Sequence, residues 1–154
     1  MHRIMFVCHG NICRSTMAEF VMKDLVKRAG CEADFVIASS ATSREEIGND
    51  THPGTKRVLA AHGVPFSSRA AVQLRAADYD AWDLFVGMDS ANIRNMRRML
   101  GGDPLHKVHK LLEFPESSTA DTARDVADPW YTGDFETTYD DVLRGCEALL
   151  AFFR

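Results

Sequence analysis

Apolar residues follow two patterns along this chain: short uninterrupted runs, and runs in which they recur every three or four residues. Uninterrupted runs are typical of strands that are buried on both faces of a sheet. We predict four such strands, at residues 4–8, 35–38, 82–88 and 108–114.

The spaced apolar residues predict helices between these strands. Thr16 and Glu19 have the spacing of a capping box at the start of the first helix, and Gly30 is expected to end it. Shorter helices are predicted at 53–62 and 93–100, each followed by glycine. A last helix is predicted from seven apolar residues that share one face: Tyr139, Val142, Leu143, Cys146, Leu149, Leu150 and Phe153.

This alternation of strands and helices predicts the fold class. We expect an α/β fold with a small doubly wound four-stranded parallel sheet, helices on both faces and a flavodoxin-like topology. The chain of 154 residues corresponds to a single domain, 1–154. Ligands of such sheets bind beyond the carboxyl ends of the strands, where Cys8 lies. The polar segment 116–138 has no clear periodicity and is predicted to be a long surface loop.

Composition and charge argue against several classes of protein. Hydrophobic residues make up 45% and charged residues 26%, as in ordinary globular proteins, and the net charge of −4 argues against a nucleic-acid partner. No apolar run approaches the length of a membrane span, and the first residues do not form a signal peptide. Four cysteines are too few for a disulfide scaffold, so we expect a cytoplasmic protein whose cysteines are catalytic or redox-active.

The segment between the first strand and the first helix carries the most specific pattern. It has the spacing Cys-x5-Arg-Ser, and five intervening residues are enough to wrap a loop around one tetrahedral oxyanion. Backbone N–H groups and the helix N-terminus would then face the anion. Gly10 and Asn11 are residue types that tolerate left-handed backbone, which such a loop needs. The loop reads Cys8-His9-Gly10-Asn11-Ile12-Cys13-Arg14-Ser15.

These residues fit covalent phosphoryl transfer. A helix N-terminus and a neighbouring arginine favour a thiolate, so Cys8 is a candidate nucleophile. The guanidinium of Arg14 can hold two phosphate oxygens, and the hydroxyl of Ser15 can stabilise the sulfur. Zinc binding is disfavoured because adjacent Cys8 and His9 are poorly spaced ligands. Two glycine-rich nucleotide-binding motifs, Gly-x4-Gly-Lys-Ser/Thr and Gly-x-Gly-x-x-Gly, are absent.

A second candidate element lies in the polar segment, at Asp128-Pro129-Trp130-Tyr131. Asp128 could protonate the departing oxygen of a phosphate ester, and Trp130 and Tyr131 could flank an aromatic leaving group. Taken alone, the same residues are also typical of a simple turn.

Together these motifs resemble the low-molecular-weight protein tyrosine phosphatases over nearly the whole chain. The segments that carry the resemblance are Val7 to Ser15, Ala41-Thr42-Ser43, Glu46-Ile47-Gly48-Asn49, Met88-Asp89-x-x-Asn92, Asp128 to Tyr131 and Asp134-Phe135-Glu136-Thr137.

The resemblance implies two-step hydrolysis of phosphotyrosine in a protein or peptide, without metal or cofactor. By resemblance Cys8 is the nucleophile, Arg14 binds phosphate, and Asp128 is the general acid and then the base. Cys13 matches a second loop cysteine that forms a disulfide with the nucleophile on oxidation. We also expect inhibition by phosphate or vanadate, and a monomer or weak dimer. Residues implied to support the loop are Asn11, Ser15, Ser39 and Asp89.

The chain departs from the family pattern at several positions. Thr16 replaces a usual proline and is expected to alter helix entry. Glu45 stands where many members carry an aromatic residue, which adds negative charge to the pocket rim. A supporting histidine of the family corresponds to Ser68. His9 could place partial positive charge at the pocket mouth, or could simply be a solvated loop residue.

Three alternative functions remain open from the sequence. An arsenate reductase shares the fold and loop but needs further cysteines, and only Cys31 and Cys146 lie outside the loop. A phosphoarginine phosphatase would carry threonine in place of Ile12, whose apolar side chain suits a tyrosine ring better than a guanidinium. A phosphopeptide-binding module would not need both Cys8 and Asp128.

Overall fold

The computed structural model describes all residues, 1–154, and contains one parallel sheet. The strand order is β2-β1-β3-β4, so β1 lies in the centre and the chain crosses it between β2 and β3. This topology confirms the predicted doubly wound sheet. The strands are β1 (His2–Cys8), β2 (Phe35–Ala41), β3 (Leu84–Gly87) and β4 (Val108–Lys110).

Seven helices and one 3₁₀ turn, Glu32–Asp34, connect the strands. The helices are α1 (Arg14–Arg28), α2 (Pro53–Ala61), α3 (Asp78–Ala81), α4 (Ser90–Met99), α5 (Glu113–Glu116), α6 (Pro129–Thr132) and α7 (Phe135–Phe152). None of them has the length and apolar composition needed to cross a membrane.

Residues 4–8 of the central strand β1 are apolar without interruption because both faces of the strand are covered there. Ile4 and Phe6 point to one face, where residues of α1, α2 and α7 form the larger core. Met5 and Val7 point to the other face, which is covered by α3 and α4. Because side chains alternate along a strand, a strand covered on both faces needs apolar residues at every position.

The start of the first helix differs from the prediction. The helix begins at Arg14, and Thr16 and Glu19 do not form a capping box. Instead the hydroxyl of Thr16 donates to the carbonyl of Ile12, 3.2 Å away, and the carboxylate of Glu19 accepts from Ser39 Oγ at 2.6 Å. The carboxylate of Glu19, which the local pattern predicted to cap the helix, therefore bonds a residue of β2 instead.

Other boundaries also differ from the prediction, and β2 continues beyond residue 38 to Ala41. The third strand begins at Leu84 rather than at residue 82, and the fourth ends at Lys110, where α5 follows after two residues. The segment 116–138 is not entirely loop, because it contains α6 and the first turn of α7. A four-residue helix such as α6 is too short to carry an amphipathic repeat that could be recognised.

Candidate active site

The loop from Cys8 to Ser15 lies at the carboxyl end of β1, and its carbonyl groups are held from outside. The carbonyls of Cys8 and His9 accept from the N–H groups of Thr42 and Ser43, both at 3.0 Å. Further along the loop, the Ile12 carbonyl accepts from His52 N at 2.8 Å, and the Cys13 carbonyl accepts from Thr55 Oγ1 at 3.2 Å.

This arrangement fixes the direction of the backbone N–H groups. In a trans peptide the C=O and the following N–H point in opposite directions. Carbonyls held outward therefore turn the N–H groups toward the inside of the loop. None of the N–H groups of residues 9–14 donates to another protein group. The loop thus presents a ring of free donors suited to one anion.

The sulfur of Cys8 lies at the bottom of this ring. Cys8 is 3% exposed, and its Sγ is 3.1 Å from Ser15 Oγ and 3.4 Å from Ser15 N. The Nδ2 of Asn11 donates to the same Ser15 Oγ at 2.8 Å. Ser15 is therefore oriented toward the sulfur by the loop itself.

Arg14 begins α1 beside the sulfur, and three groups fix its buried guanidinium. Nη2 contacts Asp89 Oδ2 at 2.8 Å and Asp128 Oδ2 at 3.3 Å, while Nη1 donates to the carbonyl of Val126 at 3.1 Å. Burial acts to lower the pKa of Arg14, but Cys8, Asp89 and Asp128 together raise it above its ordinary value. The guanidinium is thus a permanent charge at the cavity.

A network behind the loop sets its shape. Asn11 has a φ of +59°, whereas Gly10 does not adopt positive φ, so of the two residues predicted to be left-handed only Asn11 is. Asn11 Nδ2 donates to Ser39 Oγ at 2.9 Å. Arg69 donates from Nη1 to the Asn11 carbonyl at 3.1 Å and from Nη2 to its Oδ1 at 3.0 Å. The side-chain bond of Asn11 stabilises a conformation that costs most residues energy.

Arg69 is the supporting residue that the sequence interpretation missed. Ser68, which was expected to stand in place of the family's supporting histidine, is exposed, and no hydrogen bond of its side chain reaches the loop. The bond from Arg69 to Asn11 spans 58 residues of chain, so no local pattern could have indicated it. Arg69 follows Ser68 directly in the chain, and it is Arg69 whose side chain reaches the loop.

A cavity of about 490 Å³ opens above the loop. It brings together most of the predicted site: Cys8, His9, Gly10, Ile12, Cys13, Arg14, Glu45, Asp89, Asp128, Trp130 and Tyr131. Asn11, Ser15 and Ser39 are buried behind the loop and do not line it. Four further residues line the cavity, to which the sequence interpretation gave no role in the site: Glu46, Ala91, Asn92 and Asn95.

The rim of the cavity is charged on one side and aromatic on the other. His9 Nε2 lies 2.7 Å from Glu45 Oε2, so the residue after Cys8 pairs with the acidic rim residue instead of being simply solvated. Across the mouth, Trp130 is 63% exposed and Tyr131 is 85% exposed. The ring of His52 packs between Trp130 and Phe135, with centroids 6.4 and 5.0 Å away.

Asp128 caps α6 and faces the cavity. Its Oδ1 accepts from Trp130 N at 3.0 Å, which leaves Oδ2 directed toward Arg14. Its side chain is 25% exposed, so a proton can be exchanged with a molecule in the cavity. The Asp-Pro-Trp segment is therefore both a short capped helix and part of the site.

Cys13 lies in the same loop as a buried free thiol. Burial raises its pKa to about 12, and the neighbouring Cys8 and Asp128 add to the increase. Cys13 is therefore protonated at neutral pH. No group of three or more His, Cys, Asp or Glu side chains is arranged to hold a metal ion.

This fold and this loop define a class of phosphatases. The family model of the low molecular weight phosphotyrosine protein phosphatases matches residues 3–154, and the chain belongs to this family of hydrolases. The resemblance stated from the motifs is thereby confirmed.

Relatives of known name agree with this membership. The chain is 40% identical over 151 residues to the low molecular weight protein-tyrosine-phosphatase YfkJ of Bacillus subtilis, covering 98% of this chain and 95% of YfkJ. It is 35% identical over 149 residues to PtpA of Staphylococcus aureus, covering 97% and 92%.

Solved structures of the family also superpose closely. The crystal structure of YfkJ gives a TM-score of 0.91, with 99% of this chain and 94% of that chain covered. The low molecular weight protein tyrosine phosphatase from Streptococcus pyogenes, 37% identical, gives 0.87 with coverages of 100% and 94%. The α/β fold predicted from the strand and helix pattern is the fold of these enzymes.

Proposed function

We propose that this phosphatase hydrolyses phosphotyrosine in proteins through a phosphocysteine intermediate on Cys8. The observation that carries the proposal is the set of unbonded N–H groups at residues 9–14, in a loop that lines one cavity together with Cys8 and Arg14. A phosphoryl group in that loop has its phosphorus within reach of the sulfur. Its equatorial oxygens meet preorganised donors, which stabilise charge that develops in the transition state.

In the first step the Cys8 thiolate attacks phosphorus and the bond from phosphorus to the phenolic oxygen breaks. The carboxyl group of Asp128, at the open side of the cavity, gives its proton to the leaving oxygen. Arg14 presents two N–H groups in a planar fork, and this geometry matches two phosphate oxygens.

In the second step the carboxylate of Asp128 takes a proton from water, and the water oxygen attacks phosphorus. The sulfur–phosphorus bond breaks, and the electron pair returns to Cys8 as a thiolate. The hydroxyl and N–H of Ser15, at 3.1 and 3.4 Å, are placed to stabilise that thiolate as it leaves. The cycle releases inorganic phosphate, so phosphate and the similarly shaped vanadate are expected to inhibit.

The cavity wall favours an aromatic substrate. Ile12, Trp130 and Tyr131 all line the cavity. Apolar and aromatic groups pack well against a phenyl ring. A structure named Drosophila arginine phosphatase shares the fold at a TM-score of 0.84 and 22% identity, so phosphoarginine is the second candidate substrate.

Arsenate reduction is less well supported by the cysteines. Cys146 is entirely buried on α7, and burial raises its pKa. Cys31 is partly exposed beside the 3₁₀ turn, and neither residue lines the cavity. A thiol relay needs cysteines that reach the first sulfur.

The test compares the wild type and Cys8→Ser on phosphotyrosine, phosphoserine and phosphoarginine peptides. We expect the wild type to prefer phosphotyrosine, and Cys8→Ser to lose turnover while still binding phosphate or vanadate. Turnover retained in Cys8→Ser would contradict the covalent mechanism. Faster release of phosphate from phosphoarginine would replace the substrate assignment but not the mechanism.

A further inference from the structure

Lys110 is a fully buried lysine that the reaction described above does not use. It is the last residue of β4, at the carboxyl edge of the sheet where the active site lies, and its side chain is 1% exposed. In the sheet it pairs with Gly87, which pairs in turn with Val7, next to Cys8. A buried ammonium group is costly unless each of its protons is bonded.

All three protons of this ammonium group have an acceptor. Nζ donates to Ser90 Oγ at 2.9 Å, to the carbonyl of Ala123 at 2.8 Å and to Asp125 Oδ1 at 2.9 Å. Asp125 Oδ1 also accepts from Ser90 N at 3.1 Å. One lysine thus connects the edge strand, the first residue of α4 and the chain that leads to Asp128.

That chain, residues 123–128, is called the acid segment below. It contains no strand and no helix before Asp128, which only caps α6. Other bonds also hold it: Arg124 N donates to Glu116 Oε2 at 3.0 Å, the Arg124 guanidinium bonds Asp141 at 2.7 Å, Val126 N donates to the Met88 carbonyl at 2.9 Å, and the Ala127 carbonyl accepts from Thr138 Oγ1 at 2.8 Å. Lys110 is the one group that bonds both Ala123 and Asp125, so it ties the first half of the acid segment to β4.

The neighbouring carboxylate of Asp89 does not have the same dependence. Asp89 and Asn92 form a reciprocal capping box at the start of α4, which fixes Asp89 independently of Ser90 Oγ. Loss of the lysine should therefore displace Asp128 more than Asp89 or the loop of residues 8–15, called the phosphate loop below.

We propose that Lys110 is a positioning residue for Asp128: by bonding Ala123 and Asp125 it sets the position from which the carboxyl group delivers its proton. The inference rests on the proposed role of Asp128 as general acid. If Asp128 is poorly positioned, the rate should fall most for substrates whose leaving group needs a proton.

The experiment measures kcat/KM for Lys110→Met on two substrates, p-nitrophenyl phosphate and phenyl phosphate. Nitrophenolate leaves with little need of a proton, whereas phenolate needs one. We expect a loss on phenyl phosphate that is about tenfold greater than the loss on p-nitrophenyl phosphate, a part of the 10²–10⁴-fold that general acids supply. Asp125→Asn weakens the bond to Lys110, because it removes the negative charge while it keeps an oxygen in place. It should give a smaller change in the same direction, and it serves if Lys110→Met does not fold.

Arg97→Met is the matched control, because Arg97 is a half-exposed cation that contacts Asp121, just before the acid segment, at 2.9 Å. It should leave the ratio of the two substrates unchanged. In an Asp128→Asn background, Lys110→Met should add no further discrimination between the substrates.

Equal losses on both substrates in both Lys110→Met and Asp125→Asn would show that Lys110 stabilises the fold only, and would overturn the inference. Discrimination that persists undiminished in the Asp128→Asn background would overturn it as well. If Asp128→Asn alone shows no dependence on the leaving group, the role of Asp128 falls and the inference falls with it. The two failures are therefore distinguishable.

Discussion

Two segments face the guanidinium of Arg14, and they are held in place by different kinds of bonds. The phosphate loop, residues 8–15, continues directly from β1 into α1, and its carbonyls bond mainly to backbone groups of the adjacent chain. The acid segment has no regular structure and is held largely by side chains, from Lys110, Thr138 and Asp141. Backbone bonds, which no side-chain substitution removes, make the first segment rigid, whereas a single substitution can release the second.

Arg14 belongs to the phosphate loop and its guanidinium bonds the acid segment at Val126 and Asp128, so changing it should have the largest effect. Arg14→Lys removes the planar fork, and a lysine cannot bond two equatorial oxygens in the same way. We expect kcat/KM to fall by about 10³-fold on every aryl phosphate, because loss of one oxyanion donor alone costs about 10²–10³-fold. Steady-state kinetics measure this, with the exposed Arg57→Lys as control. Activity near that of the wild type would show that Arg14 does not bind the phosphoryl group.

Asp128→Asn should damage only the function of the acid segment. We expect about a 10²-fold loss on phosphotyrosine peptides, at the lower end of the range for general acids because phenolate is not the poorest of leaving groups. The loss on p-nitrophenyl phosphate should be much smaller, and phosphate inhibition should be unchanged. Equal losses on the two substrates would show that Asp128 caps α6 but is not the general acid.

Arg69→Met should damage only the phosphate loop. It leaves the Asn11 carbonyl without its donor, and the opposite N–H of Ile12 is then no longer held toward the phosphate. We expect phosphate inhibition and kcat/KM to weaken by about tenfold, as for one charged hydrogen bond, without dependence on the leaving group. Arg69→Lys should recover part of the loss. The control Arg57→Met, at an exposed arginine, should change neither phosphate inhibition nor kcat/KM. Unchanged phosphate inhibition in Arg69→Met would contradict this role.

Cys13→Ser should have the smallest effect on turnover but a clear effect on recovery from oxidation. Peroxide converts the Cys8 thiolate to a sulfenic acid, and a Cys13 thiolate that attacks its sulfur forms a disulfide and expels hydroxide. A dithiol should restore the wild type but much less of Cys13→Ser. Peptide mapping that finds no Cys8–Cys13 linkage, with equal recovery of both proteins, would leave Cys13 as a packing residue only.

The same step has a defined pH dependence. Since burial raises the pKa of Cys13 to about 12, its thiolate fraction increases with pH across the neutral and mildly alkaline range. The rate of disulfide closure, measured after a brief peroxide pulse, should rise about tenfold for each unit of pH well below that pKa. A rate independent of pH would mean that closure is limited by movement of the loop.

The difference between the two segments also explains what the sequence could predict. The Cys-x5-Arg pattern predicted the phosphate loop because the whole pattern lies in one short stretch of sequence between a buried strand and a helix. Arg69 and Lys110 could not be found in this way, since each acts on residues brought near only by the fold. Glu19 shows the converse: its local spacing matched a capping box, but a bond to Ser39 on β2 determined where it points.

The placement of the two tryptophans gives the protein its own optical reporter and reference. Trp130 stands on the cavity wall beside His52, whose N–H holds the Ile12 carbonyl of the phosphate loop. Trp82 precedes β3, at the opposite edge of the sheet from the cavity. Emission from Trp130 should therefore respond when an oxyanion enters the loop, while emission from Trp82 supplies a steady background. Occupancy of the cavity can then be followed without a label, even in variants that no longer turn over.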